Sequence, residues 1–430
     1  MICHDLGRHI GPYGLAAEQS PRLNQFAEQS IRLDNYFVTS PGCSQSRSSL
    51  ITGRYPHANG QFGLAHLGWD LKRDQTVLPQ ALQQTGYHTT LFGIWHLHEW
   101  TIQFFDTLSD DVCVRDISPE GYAEVASARA ETWINNWAKS DQNKPFYLHL
   151  GFWETHRPFC GHEIDPAQWP QVDLDSVDLP DYLPDNESTR REFAELHRSV
   201  GMVDAAVKRV LGALDQAGLT DNTLVIFTAD HGLPFPRAKG TLYDPGVAVA
   251  FLARWPGRIR GGTTTSELAS NVDLMPTLLD IAGGDIPSEV QGQSFADLLT
   301  GAPEPARRRD ANFAEKTYHE HYDPMRCIRT DQYKLIRNFA DRPALVMPSD
   351  IYNCPTRRSM TEDEMFWSHR PEYELYDLTS DPRELHNLAE SPDHQSILTS
   401  LRNQLHDWMK RTGDPLLDGP IARPAGSTTF

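Results

Sequence analysis

The feature that most restricts how this chain can fold is a repeated alternation. Short, nearly continuous apolar runs are each followed by a polar turn and then a helical stretch. Residues 145–153 (PFYLHLGFW), 222–228 (NTLVIFT) and 247–253 (VAVAFLA) are apolar on both faces, so as strands they must be covered on both faces. Residues 34–39 and 88–92 read as further strands. Helical periodicity occupies residues 78–85, 120–140, 189–217 (with Gly218 as a stop) and 273–282. Strands alternating with helices predict an α/β domain, a large mostly parallel sheet sandwiched by helices.

The pattern changes near residue 305. Residues 312–338 read as short strands with turns, Lys334 to Arg337 and Tyr373 to Tyr376 as half-buried strands, and 395–410 as an amphipathic helix. The expected organisation is therefore a catalytic α/β domain at 1–305 and a smaller C-terminal α+β subdomain at 306–430 with a short antiparallel sheet. A chain of 430 residues is long enough for both. Residues 343–372 form a long irregular stretch of the kind that often carries function, and the tail after Pro415 is expected to be a surface arm. No internal repeat occurs.

Composition narrows the function classes. With 39% apolar and 23% charged residues the chain is globular, and a formal charge of −19 argues against nucleic acid as a partner. No apolar run approaches the ~20 residues that span a bilayer. The six cysteines (Cys3, Cys43, Cys113, Cys160, Cys327, Cys354) contain no CxxC pair, against a zinc finger or a disulfide scaffold. No export signal precedes the first strand, which at Met1-Ile2-Cys3 is shorter than the usual ~5 residues. The start reads as truncated, and the compartment stays open.

Ligands of open α/β sheets bind at the carboxyl ends of strands. Polar clusters stand at or close after predicted strand ends: His4-Asp5, Cys43 to Arg47, His96 with His98, Glu154 to Arg157, and Asp230-His231. A cysteine opening a helix lies against the positive end of the helix dipole, which suits an anionic substrate.

The run Cys43-Ser44-Gln45-Ser46-Arg47 followed by Leu50-Ile51-Thr52-Gly53-Arg54 resembles the signature of the sulfatase family, Cys-x-Pro-Ser-Arg then Leu-x-Thr-Gly-Arg. Other elements extend the resemblance along nearly the whole chain. They are His4-Asp5-Leu6-Gly7, Gly93 to His96, Thr155-His156, Thr228 to Gly232, Lys239, and residues 373–389. Within the family the pattern is most similar to the sulfamidase branch, the N-sulfoglucosamine sulfohydrolases. The segments that carry this are Gly63 to His66, His156 to Pro158, residues 234–246, and His321 to Arg326.

The resemblance implies an alkaline-phosphatase-like fold and hydrolysis of a sulfate ester or sulfamate on a sulfated sugar, as in glycosaminoglycan degradation. It implies that a maturation enzyme oxidises Cys43 to formylglycine, whose hydrate attacks sulfur. Asp5, Asp230, His231, His4 and matured Cys43 are the implied metal ligands. Calcium is the family expectation, with manganese or magnesium as alternatives because His4 replaces a carboxylate. Arg47 and Lys239 offset charge on the sulfuryl group, His156 protonates the leaving atom, and His96 acts as base on the second hydroxyl. Arg157, His98, His319, His321 and Arg326 are expected substrate contacts. Expected partners are a sulfated carbohydrate or other sulfate ester and the maturation enzyme, without membrane or nucleic acid; a homodimer is admitted. Family members are often exported or periplasmic.

Two departures from the family pattern stand out: Gln45 where it has proline, and Ile94 where it has a lysine. They keep two other readings open, a phosphate or phosphonate ester hydrolase of the same superfamily and a degenerate homologue that binds glycans without turnover.

Overall fold

A computed structural model describes residues 1–109, 122–140, 144–159, 169–301, 309–360 and 368–427. Cys113, Cys160 and the predicted domain boundary at 305 lie outside these residues. The strands are β1 (Ile2–Cys3), β2 (Ile31–Leu33), β3 (Tyr36–Phe37), β4 (His88–Gly93), β5 (Thr107–Leu108), β6 (Phe146–Phe152), β7 (Val225–Ala229), β8 (Phe251–Arg254), β9 (Thr263–Thr265), β10 (Ala269–Ser270), β11 (Asn312–Tyr318), β12 (Tyr322–Arg329), β13 (Tyr333–Asn338) and β14 (Tyr373–Asp377).

The main sheet has the order β5-β4-β6-β1-β7-β8-β2-β9, and β5 to β7 are mutually parallel. Short β1 is central, pairing Ile2 with Gly151 and Thr228 and Cys3 with Phe152 and Ala229. Helices Ala123–Lys139, Glu187–Gln216 and Leu274–Ala282 pack apolar residues such as Ile134, Val207 and Leu279 into the core shared with the sheet. They agree with the helical periodicity to within a few residues.

Two strand expectations need correction. Residues 247–253 do not form a parallel strand. The short helix Asp244–Val247 precedes β8, which runs antiparallel to β7 and to β2. An apolar run buried on both faces carries no information about direction. The chain between β7 and β8 forms loops and one short helix, with no long crossover helix to return it parallel. Residues 34–39 contribute only β3, paired in parallel with β10 outside the main sheet.

β11 to β14 form a four-stranded antiparallel meander with helix Gln395–Thr412 packed on it. Alternation places Ile328, Leu335 and Leu375 under Leu401, Leu405 and Trp408, while Cys327, Ile336 and Tyr376 join the main core. The small sheet is thus apolar on both faces and cements the two layers. The tail is no free arm: Tyr318 Oη donates to Ile421 O at 2.8 Å, and Arg423 donates to Glu320 O. Among the described residues no helix is long and apolar enough to cross a membrane.

Candidate active site

Four neighbouring strands, β4, β6, β1 and β7, end on one edge, and each delivers a polar cluster there. The ladder continues just past β1: His4 N donates to Phe152 O (2.9 Å) and Asp230 N to Cys3 O (3.1 Å). Asp5 then turns into a positive-φ conformation (49°) with its N–H on Asp230 Oδ1 at 2.9 Å. Gly93 and Gly151 allow β4 and β6 to close together at this edge. A Cβ on Gly93 would stand 2.1 Å from Gly151 O, and one on Gly151 1.9 Å from Ile94 O. Three residues on, His96 also has positive φ (57°). Two non-glycine residues held in this sparsely populated region mark a site whose surroundings over-determine them.

Helix Cys43–Thr52 is buried on every side although six of its ten residues are Ser, Thr or Gln. Its polar atoms are largely paired, as burial requires. Ser44 Oγ accepts from Ala65 N (3.0 Å), Ser48 Oγ donates to Gln45 O (2.7 Å), and Ser46 Oγ donates to Asp230 O. Asn271 Nδ2 donates to Ser46 O at 2.9 Å. Gln45, in the place of the family proline, donates from Nε2 to Tyr318 O at 2.7 Å and ties the helix to the end of β11. The first turn forms without proline: Ser46 N reaches Gly42 O at 2.9 Å. Cys43 therefore opens the helix, 2% exposed, with Sγ 3.1 Å from His231 Nε2.

Ligand atoms of His4, Asp5, Cys43, Asp230 and His231, all buried, lie within 4.8 Å of one another. Asp5 Oδ1 is 2.7 Å from His4 Nδ1 and 3.0 Å from His231 Nε2. Five convergent donors, two of them carboxylates, fit a divalent cation. The two imidazoles make the set softer than the all-oxygen shells calcium prefers. Burial alone would raise the Cys43 thiol, but His4, Lys239 and His231 outweigh it and hold it well below the ordinary thiol range. Burial likewise opposes charge on Asp5; Lys239 and the surrounding histidines overcome it and keep the carboxyl well below its usual range.

Two further side-chain groups have metal-like spacing, Asp5–His156–Asp350 and His57–Glu315–Asp414. A protein cation serves each. Lys239 Nζ lies 2.7 Å from Asp5 Oδ2 and 2.8 Å from Asp350 Oδ2, and Arg326 Nε lies 3.8 Å from Glu315 and pairs with Asp414 at 2.5 Å.

Arg47 Nε pairs with Asp230 Oδ2 at 3.0 Å, and Nη1 reaches Ile94 O at 3.3 Å. Ile94 is 2% exposed in an apolar cluster with Trp153, so position 94 brings only a carbonyl to the site. His96 sits between His4 (Nδ1 to Nε2, 3.4 Å) and His66 (Nε2 to Nδ1, 3.1 Å), and burial lowers it to about 4. His156 stacks on Trp153 with ring centroids 4.0 Å apart. Burial, then Lys239, push it down to about 3, and its Nε2 accepts from Lys239 Nζ at 3.2 Å. His319, one of the expected substrate contacts, lies against Cys43. Burial opposes its charge, but Glu320 first and Cys43 next raise it to about 9.

Of the other four expected substrate contacts, three are engaged by protein partners. Arg326 is fully buried, held by Asp414 (2.5 and 3.0 Å) and by Lys316 O. Arg157 pairs with Glu192, donates to Pro234 O (2.7 Å) and packs on Phe159 and Phe235. His98 caps the 3-10 turn Glu99–Phe104 through Nδ1 and binds Asp70 through Nε2 at 2.8 Å. His321 is exposed in the β11–β12 turn. A cation in a motif carries no mark of whether its partner is a ligand or a neighbouring carboxylate. Conversely, no motif singles out His66 or Asp350 as a site residue; His66 lies in the Gly63 to His66 segment and Asp350 in the irregular stretch at 343–372.

Comparison with known proteins agrees with this geometry. The Sulfatase family matches residues 4–284, and the N-sulphoglucosamine sulphohydrolase C-terminal family matches residues 231–357, across the predicted domain boundary. An ulvan-active sulfatase of Formosa agariphila is 31% identical over 98% of this chain and 82% of its own length. The human N-sulphoglucosamine sulphohydrolase is 28% identical over 98% and 91%. A solved structure of a protein in complex with its substrate D-glucosamine-2-N,6-O-disulfate has a TM-score of 0.71 at 22% identity, covering 98% of both chains, and so shares the fold. Because the Sulfatase family matches well over half of the chain and a relative 31% identical spans 98% of it, the chain belongs to the sulfatase family, hydrolases of sulfate esters and sulfamates.

Proposed function

We propose that this sulfatase hydrolyses a sulfated sugar of the N-sulfoglucosamine kind, with matured Cys43 as nucleophile. The observation that carries the reading is the convergence of Cys43 with two carboxylates, four histidines, Arg47 and Lys239 in one buried cluster. The relatives that act on N-sulphoglucosamine and on ulvan support a sugar as substrate.

Family membership implies a metal ion and formylglycine. His4, Asp5, Asp230, His231 and matured Cys43 would hold the ion, calcium by family and manganese by donor softness. The bound ion would supply positive charge against the sulfuryl oxygens, and formylglycine the attacking hydroxyl. Arg47, anchored on Asp230, and Lys239, anchored on Asp5, add two fixed cations to the cluster and need little reorganisation as charge develops. Neutral His96 accepts a proton on the Cys43 side and passes it toward His66. On the leaving-atom side, Lys239 and His156 share one N–H, and this couple delivers a proton to the departing oxygen or nitrogen.

Intact mass of active protein tests the nucleophile. Conversion of the Cys43 thiol to an aldehyde lowers the mass by about 18 Da. Sulfate release from N-sulfoglucosamine, lost in Cys43→Ala, accompanies it. Full activity with an unmodified Cys43 refutes the mechanism, and activity confined to phosphate esters refutes the substrate class.

A further inference from the structure

Lys239 is a saturated cation. An ammonium has three N–H donors, and here they go to Asp5 Oδ2 (2.7 Å), Asp350 Oδ2 (2.8 Å) and His156 Nε2 (3.2 Å). These partners form a gradient from the floor of the site outward. Side-chain exposure is 0% for Asp5, 1% for Lys239, 14% for His156 and 19% for Asp350. Asp350 is thus the outermost member of the group.

Its geometry is fixed from the C-terminal half of the chain. Glu320 Oε1 accepts from Ser349 N at 3.0 Å and from Ser349 Oγ at 2.7 Å, and buried Ile351 anchors the turn. Asp350 Oδ1, in contrast, is a buried carboxylate oxygen with no hydrogen-bond partner among the described residues. A buried acceptor left without a donor is costly, more so when it carries charge. A carboxylate here also repels an approaching sulfate, so what it faces in a bound substrate must be a group that donates hydrogen.

We infer that Asp350 is a specificity-determining residue that receives the N–H groups of an amino sugar at the leaving side of the scissile bond. This rests on the sulfated-sugar reading above. Hydrolysis of a sulfamate, R–NH–SO3− + H2O → R–NH3+ + SO4 2−, breaks the S–N bond and forms an S–O bond. The nitrogen takes up both hydrogens of the water and leaves as a cation. A carboxylate beside that nitrogen gains a charge-assisted hydrogen bond as the amine departs. A sulfate ester leaves a neutral hydroxyl and gains less. Asp350 therefore favours nitrogen over oxygen as the leaving atom.

The test has a binding arm and a turnover arm, with wild type, Asp350→Asn and Asp350→Ala. In calorimetric titration, wild type binds D-glucosamine at least about tenfold tighter than N-acetyl-D-glucosamine, the size of one charge-assisted hydrogen bond. Both variants lose that preference. In turnover, the ratio of kcat/KM for N-sulfoglucosamine to that for p-nitrophenyl sulfate falls at least about tenfold in Asp350→Asn, chiefly through KM. A glucosamine preference that survives in Asp350→Asn, or is missing in wild type, overturns the inference, as do equal losses on both sulfated substrates. Failure of the sulfatase reading itself is distinguishable: wild type then releases no sulfate from any sulfated substrate, while the binding arm still reads Asp350.

Discussion

Lowering the pH should weaken this fold through a buried histidine pair. His9 stands on the loop that carries His4 and Asp5, and His197 on helix Glu187–Gln216. Their Nε2 atoms are 2.8 Å apart, and the residues are 1% and 0% exposed. One ring donates and the other accepts, so protonating the accepting ring leaves two N–H groups facing each other. Burial lowers His197 from 6.5 to about 4 and His9 well below 6.5. A histidine whose folded pKa is depressed stabilises the fold above its unfolded value and loses that contribution as pH falls. For His197 the window runs from 6.5 down to about 4, a loss of about 3 kcal/mol at ~1.36 kcal/mol per pH unit. Urea unfolding followed by circular dichroism at pH 7, 5.5 and 4.5 measures it. Many carboxylates also titrate there, so the comparison is with His197→Gln, which keeps one amide donor for His9. At pH 7 the variant should be less stable by about 1 kcal/mol, the worth of one hydrogen bond and some packing. The gap should close, then reverse, toward pH 4.5. Parallel pH dependence in the two proteins would refute the argument.

Arg326→Met should lower unfolding stability by about 3–5 kcal/mol, because it strands Asp414 and Glu315 without their buried cation. Thermal unfolding and KM on N-sulfoglucosamine separate this from a substrate contact, which would raise KM and leave Tm in place. Removal of divalent ions with EDTA should abolish sulfate release and lower Tm, since an ion that binds only the folded site stabilises it. Readdition of manganese should restore Tm at lower concentration than calcium, and His4→Asp should reverse that order by replacing an imidazole with a carboxylate. An unchanged order in His4→Asp would show that His4 is no ligand.

Much of the site could be read before any coordinates. His4-Asp5, His96, His156 and Asp230-His231 each follow a strand, and in a parallel sheet successive strands present the same end to one edge. Order along the chain therefore implied closeness in space. Cys43 was marked by the motif it opens, and its position at the start of a helix agrees with that motif. What local pattern did not carry was pairing across long separations. Arg326 and Lys239 are both motif cations. Asp414 and Glu315 claim the first as structure, and Asp5 and Asp350 place the second at the cluster.

The sequence by itself determined the fold class, the second antiparallel layer and the strand ends where chemistry gathers, because these follow from hydrophobic period and from the geometry of parallel strands. Tertiary structure alone decided that β8 runs antiparallel and that the tail packs on the β11–β12 region. It also decided that Arg157 and Arg326 are buried ion-pair partners and that Asp350 meets Lys239 from 111 residues away. Apolar runs have no direction and charges no intrinsic partner; both are assigned only when distant segments compete for the same buried space.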